Sequence, residues 1–161
     1  MAPEAKRDAA AVRVLPPVIP LIAIFAGVGL NRVWPLGVGF ALPAPARYWL
    51  GGAIVAVAIL GLGLWPVLLF RRSGQSADPR KPTPSLVDRG PYRFTRNPMY
   101  LQMVLVCLGV AIMLTNWWIV ILTPIAAYLL QRLAIVPEEA YLEGKFGRAY
   151  VAYKRRVRRW L

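Results

Sequence analysis

The sequence contains no histidine, one cysteine, and only 7 aspartates and glutamates among 161 residues. Each shortage closes off some chemistry. Without histidine there is no imidazole general base, and the commonest zinc and haem ligand is missing, which argues against a metalloenzyme. A single cysteine cannot form a disulfide within the chain. That residue, Cys107, lies inside an apolar run, where a thiol serves as a small packing group rather than a nucleophile. The shortage of acids leaves 20 lysines and arginines largely unbalanced, for a formal net charge of +13. A chain so basic addresses nucleic acid or an anionic membrane surface, and the placement of its charges decides between them.

What is abundant is apolar surface. Hydrophobic residues make up 58% of the chain, above the level of an ordinary soluble domain. It is gathered into four runs, 14–30, 48–70, 98–114 and 117–130, and none contains a charged side chain. A bilayer crossing takes about 20 residues. The second run is long enough alone, and the others draw on their flanks. Only Thr115 and Asn116 separate the last two, which predicts a tight helical hairpin. Lys6, Arg7 and Arg13 ahead of the first run look like the start of a signal peptide. Pro16, Pro17 and Pro20, and the lack of a small-residue cleavage site, favour a retained span instead.

The cations are segregated. The 71–97 loop carries Arg71, Arg72, Arg80, Lys81, Arg89, Arg93 and Arg96, and the segment after Leu130 carries Arg132 and seven more. The two opposite connections hold only Arg32 and Arg47. Basic loops stay on the cytoplasmic side. The expected architecture is therefore a single all-α integral membrane domain with four transmembrane helices. Spans one and two lie within 14–70, a cytoplasmic loop covers 71–97, the hairpin covers 98–130, and a cytoplasmic amphipathic helix with a basic tail covers 131–161. Both termini fall on the cytoplasmic side, and the charge is accounted for without nucleic acid. Gly52 with Ala56, and Gly61 with Gly63, are expected to let helices approach closely.

The C-terminal segment has its own pattern. Pro137 suits a helix start. Glu138 and Glu139 follow in what would be the first turn, where the helix dipole favours carboxylates. Leu142, Phe146, Tyr150 and Tyr153 recur at helical spacing, with a break expected at Gly147. The 154–159 cluster reads as an anchor to anionic headgroups, with Trp160 as an interfacial plug. The glutamate pair has two open readings: dipole compensation, or a site for a cation that relieves the repulsion between adjacent carboxylates.

The hairpin forces a meeting. One span leaves the cytoplasmic face and the next returns to it, so RGPYRFTRNPMYLQ (89–102) and PEEAYL (137–142) lie together at its base. Arginines, an asparagine, tyrosines and two glutamates converge there. That set suits a zwitterionic ligand: carboxylates for its cation, arginine for its carboxylate, aromatics for a flat ring.

GPYRFTRNPMY, then a hairpin, then PEEAYLEGKFGRAYVAYKRRVRRW resembles the isoprenylcysteine carboxyl methyltransferase and phospholipid methyltransferase superfamily, over roughly residues 86–161. The resemblance implies an integral-membrane methyltransferase that uses S-adenosylmethionine. It places Tyr92, Arg96, Asn97, Pro98 and Tyr100 in the cofactor site, with the backbone of Leu86 and Val87 beside it. Glu138 and Glu139 become the pair that serves the cofactor or catalysis. Many members read Arg-His-Pro where this chain has Arg96-Asn97-Pro98. Asparagine keeps a hydrogen bond but takes no proton near neutral pH.

Methyl transfer from a sulfonium needs orientation and a dry pocket more than acid–base power. A carboxylate acceptor, such as a prenylcysteine-like group, needs only aim. A lipid amine must lose a proton, and the glutamates and tyrosines are the available acceptors. Arg132, at the base of the fourth span, is expected to pair with the glutamates or to orient the acceptor. Arg89 and Arg93 read as headgroup contacts, and Arg96 as the ligand-contacting arginine. The competing function is a non-enzymatic membrane protein that binds anionic lipid or a partner through its basic tail.

Overall fold

The computed structural model describes residues 12, 14–37, 42–74, 76, 78, 81 and 83–161. Lys6, Arg7, Arg13 and Arg80 lie outside the described residues. Among the described residues there are five helices: α1 (Val18–Val33), α2 (Ala44–Arg72), α3 (Pro98–Leu114), α4 (Trp117–Phe146) and α5 (Arg148–Arg156). A short 3-10 turn, Gly90–Arg93, precedes α3. No strand occurs among the described residues, only an isolated parallel bridge between Thr95 and Arg158.

The hairpin of α3 and α4 forms the middle of the bundle. α2 packs on α3, and α1 packs mainly on α4. Asn116 secures the turn. Its Oδ1 accepts from the Ile119 N–H at 3.2 Å, capping α4, while its Nδ2 donates to the Gly27 carbonyl of α1 at 3.0 Å. Cys107 is fully buried with Ala111 and Ile119, as expected of a packing residue.

Two helices, α2 and α4, are long and apolar enough to cross a membrane; α1 and α3 are apolar but shorter. Only 11% of the most apolar stretch of α2 is buried inside the protein. Phe25, Trp49 and Leu60 are among many large side chains left exposed. Apolar area on this scale is stable only against another apolar phase, so the bundle is built for a bilayer.

The close helix contact is not where the sequence pattern placed it. Gly52 and Gly61 face open space, and Gly63 meets only the Gln102 side chain. The tight crossing is at Gly51 and Gly109, between α2 and α3. A Cβ on Gly51 would come within 2.5 Å of the Gly109 carbonyl oxygen. Composition marks a small-residue helix but not which glycine faces its neighbour.

A second correction concerns Pro137. It does not begin a helix. α4 runs unbroken from Trp117 to Phe146. The reason lies one turn upstream, where Gln131–Ile135 forms a π segment and the Val136 N–H donates to the Gln131 carbonyl. A proline inside a helix lacks its donor and collides with the carbonyl four residues back. The wider π turn takes up that misfit. Pro66 in α2 shows the same arrangement after the π segment Ala58–Leu64. Glu138 and Glu139 are therefore interior to a helix, and no exposed N-terminal dipole is there for them to compensate. The break at Gly147 is present, at φ 51°, and separates α4 from α5.

Candidate functional site

The site is assembled where α3 begins, where α4 outruns its apolar portion, and where the chain ends. After α5 the backbone runs alongside 95–97. The Arg96 N–H donates to the Arg158 carbonyl at 2.9 Å. The Arg159 carbonyl accepts from Thr95 Oγ1 at 3.2 Å and from Asn97 Nδ2 at 3.0 Å. Trp160 Nε1 donates to Gln131 Oε1 at 2.9 Å, on the π segment of α4. The tail is thus strapped to the site by its backbone, and Trp160 is half-buried against the protein.

The strap sets the state of Glu139, which is 5% exposed. Arg159 approaches it with Nη2 at 2.7 Å and Nε at 3.2 Å. Arg96 Nη2 lies 3.2 Å away, and Asn97 Nδ2 donates at 3.4 Å. Burying a carboxylate is tolerable only with this kind of compensation. Hydrogen bonding to Glu139 raises the Arg159 pKa above its ordinary value.

Glu138 is treated differently. Neighbours on a helix point about 100° apart, so the two carboxylates separate. Glu138 Oε2 accepts from the Tyr100 hydroxyl at 2.7 Å, and among the described residues it has no cationic partner. On the opposite side of the balance, Arg96 keeps a buried Nε with no partner.

These groups surround a small, partly open cavity of about 50 Å³, tighter than the usual small-molecule site. Leu86, Val87, Tyr92, Arg96, Asn97, Glu138 and Glu139 all form part of its wall. Pro98 starts α3 and is fully buried beneath it. Tyr100 stands behind Glu138 and touches the site through that carboxylate. Arg132 does not join this group. It is exposed, its guanidinium lies over the Tyr128 ring at 5.7 Å, and it pairs with neither glutamate.

Several residues of the site were not singled out by sequence reasoning. Tyr150, Tyr153, Met99 and Phe70 line the cavity, and Arg159 braces it. Tyr150 and Tyr153 were read only as part of an apolar stripe. Tyr150 and Tyr153 bury with Val157, and Leu86 packs on them together with the partly buried Leu142 and Phe146 of the same stripe. The Tyr153 hydroxyl donates to the Tyr92 carbonyl at 2.8 Å, pinning the 3-10 turn. Burial is the main cause that pushes the phenols of Tyr92, Tyr150 and Tyr153 well above their ordinary range, and nearby glutamates add to it.

The basic tail is also less free than expected. Lys154 pairs with Glu143 at 2.6 Å, Arg156 lies 3.8 Å from Asp88, and Arg159 is engaged at Glu139. Arg155 and Arg158 keep exposed side chains.

A helical bundle that leaves this much apolar surface uncovered, with charged side chains gathered around a small cavity at one end, defines a membrane protein. Residues 46–149 match the phospholipid methyltransferase family, and the chain belongs to it. The family is one of membrane methyltransferases, within the superfamily that the two motifs resemble. An uncharacterized protein of Haemophilus influenzae (strain ATCC 51907 / DSM 11121 / KW20 / Rd) is 40% identical over 65 residues, which is 39% of this chain and all of that protein. No solved structure matches the chain.

Proposed function

We propose that the chain transfers a methyl group from S-adenosylmethionine to a lipophilic acceptor at the cytoplasmic face of the membrane. The observation that carries this reading is the pair of unfilled partners in one cavity: Glu138 without a cation, and Arg96 with a buried, unpartnered Nε. A ligand with both an ammonium and a carboxylate answers both. The cofactor has that zwitterionic end, and the family normally uses it.

When bound, S-adenosylmethionine supplies an electrophilic methyl on a sulfonium. In this reading Glu138 holds the ligand's cationic end, Arg96 its carboxylate, and Tyr92, Tyr150 and Phe70 shield the cavity from water. Asn97 fixes Glu139 and the Arg159 carbonyl, a role that needs a donor and no proton transfer. An acceptor carboxylate needs only orientation. An acceptor lipid amine must also lose a proton. The acceptor enters sideways from the bilayer.

The topology belongs to the same proposal: four spans, with both termini and the 71–97 loop cytoplasmic. The segregation of basic residues supports it. The exposed Arg89, Arg93, Arg155 and Arg158 would then meet anionic headgroups.

Purified protein in nanodiscs, given methyl-labelled S-adenosylmethionine and a lipid extract, should place label in an organic-soluble product. Separation of base-labile esters from stable amines identifies the acceptor class. No label in any lipid, together with no cofactor binding by calorimetry, would remove the proposal.

A further inference from the structure

The C-terminal strap carries an assignment that the family motif leaves out. Two guanidinium groups share one carboxylate at Glu139. Arg159 makes the shorter contacts and offers two nitrogens, Nε and Nη2; Arg96 makes one ion-pair contact, through Nη2 at 3.2 Å. The Arg96 side chain is 9% exposed and its Nε has no partner. Arginine prefers to engage a carboxylate with a two-nitrogen fork. Arg96 does not do so here because Arg159 already occupies that face of Glu139, and because Asn97 donates to Glu139 Oε1 at 3.4 Å. The Arg96 N–H bond to the Arg158 carbonyl, with the side-chain bonds from Thr95 Oγ1 and Asn97 Nδ2 to the Arg159 carbonyl, holds the strap in register.

We propose that Arg159 is a positioning residue: by holding Glu139 it leaves the buried Nε edge of Arg96 unpaired, in reserve for the carboxylate of a zwitterionic ligand that displaces the atoms now covering it. Without Arg159, Glu139 turns to Arg96, the two close into a fork, and the unpaired edge is lost. The predicted defect is selective. It falls on ligands with a carboxylate and spares those without one. The inference rests on the cofactor reading proposed above.

The test measures calorimetric affinity, in nanodiscs, for S-adenosylhomocysteine and for its decarboxylated analogue. In the wild type the carboxylate should improve affinity about 10-fold, the scale of a hydrogen bond to a charged group. Arg159→Ala should bring the two affinities within about 2-fold of each other, by weakening S-adenosylhomocysteine alone. Arg159→Lys keeps the charge without the fork and should lose about half of the ratio on a logarithmic scale. Arg158→Ala removes the same charge from the tail but touches neither Glu139 nor Arg96 with its side chain, and should keep the full ratio. If Arg159→Ala does not fold, the lysine variant carries the comparison.

Equal weakening of both ligands, or an unchanged ratio in both Arg159 variants, overturns the assignment and makes the strap purely structural. A wild-type protein that binds neither ligand overturns the cofactor reading and the assignment with it. Loss of the ratio in Arg158→Ala as well would show tail charge to be the cause and would also overturn it.

Discussion

The Tyr100 hydroxyl donates to Glu138 at 2.7 Å, joining the first turns of α3 to a carboxylate 38 positions later in α4. Among the described residues it is the contact that orients Glu138 toward the cavity. Tyr100→Phe removes the donor and keeps the ring. Loss of one hydrogen bond to a charged group is worth about 1.5–3 kcal/mol. Methyl transfer should therefore drop at least about 10-fold, and the thermal midpoint should fall as well, when rate and unfolding are measured on the same preparation.

The adjacent glutamates should fail in different ways. Glu138→Gln removes a charge that has no cationic partner among the described residues, so folding should survive and cofactor affinity should fall. Glu139→Gln leaves the buried Arg96 without its counter-charge, and Arg159 with it. Breaking a buried pair from one side costs roughly 3–5 kcal/mol. Glu139→Gln should lower the unfolding midpoint well below that of Glu138→Gln. The reverse order would show that the division of roles is mistaken.

Asn97 donates through Nδ2 to both Glu139 and the Arg159 carbonyl. Asn97→Asp places an acceptor against two acceptors, and should cost at least about 1–3 kcal/mol for the groups left unmatched. Asn97→His retains an N–H and should keep most of the activity. A rate assay across the two variants separates a donor role from a need for amide geometry.

Gly51 and Gly52 provide an internal control for packing. A methyl at Gly51 meets the Gly109 carbonyl oxygen and Met113, whereas a methyl at Gly52 meets nothing within 4 Å. Gly51→Ala should destabilise by about 1–3 kcal/mol through overpacking. Gly52→Ala should be neutral or mildly stabilising, since alanine is the better helix former. Unfolding in detergent with a chemical denaturant reads the difference.

Much of this was legible in the sequence for a physical reason. Lipid cannot satisfy backbone polar groups, so long uncharged runs must be helices, and runs joined by Thr115 and Asn116 must fold back on each other. That folding places Arg96, Asn97 and the glutamate pair at one end, whatever the details. Leu86, Val87 and Tyr92 came from the family resemblance, because nothing in their own spacing marks a site. Pro137 misled because a proline looks like a helix start unless a π turn ahead of it absorbs the clash.

What the sequence by itself determined is the solvent this chain needs, the hairpin, and the end of the bundle at which its polar residues gather. These depend on runs and spacing, which are one-dimensional. Only the tertiary structure decided which of two adjacent glutamates is neutralised, which glycine meets a neighbouring helix, and which of the tail arginines enters the site. Those outcomes rest on side-chain direction around a helix and on backbone hydrogen bonds across 62 positions, from Arg96 to Arg158. Within the run 154–159, Arg159 looks no different from its neighbours until the strap aligns it with Glu139.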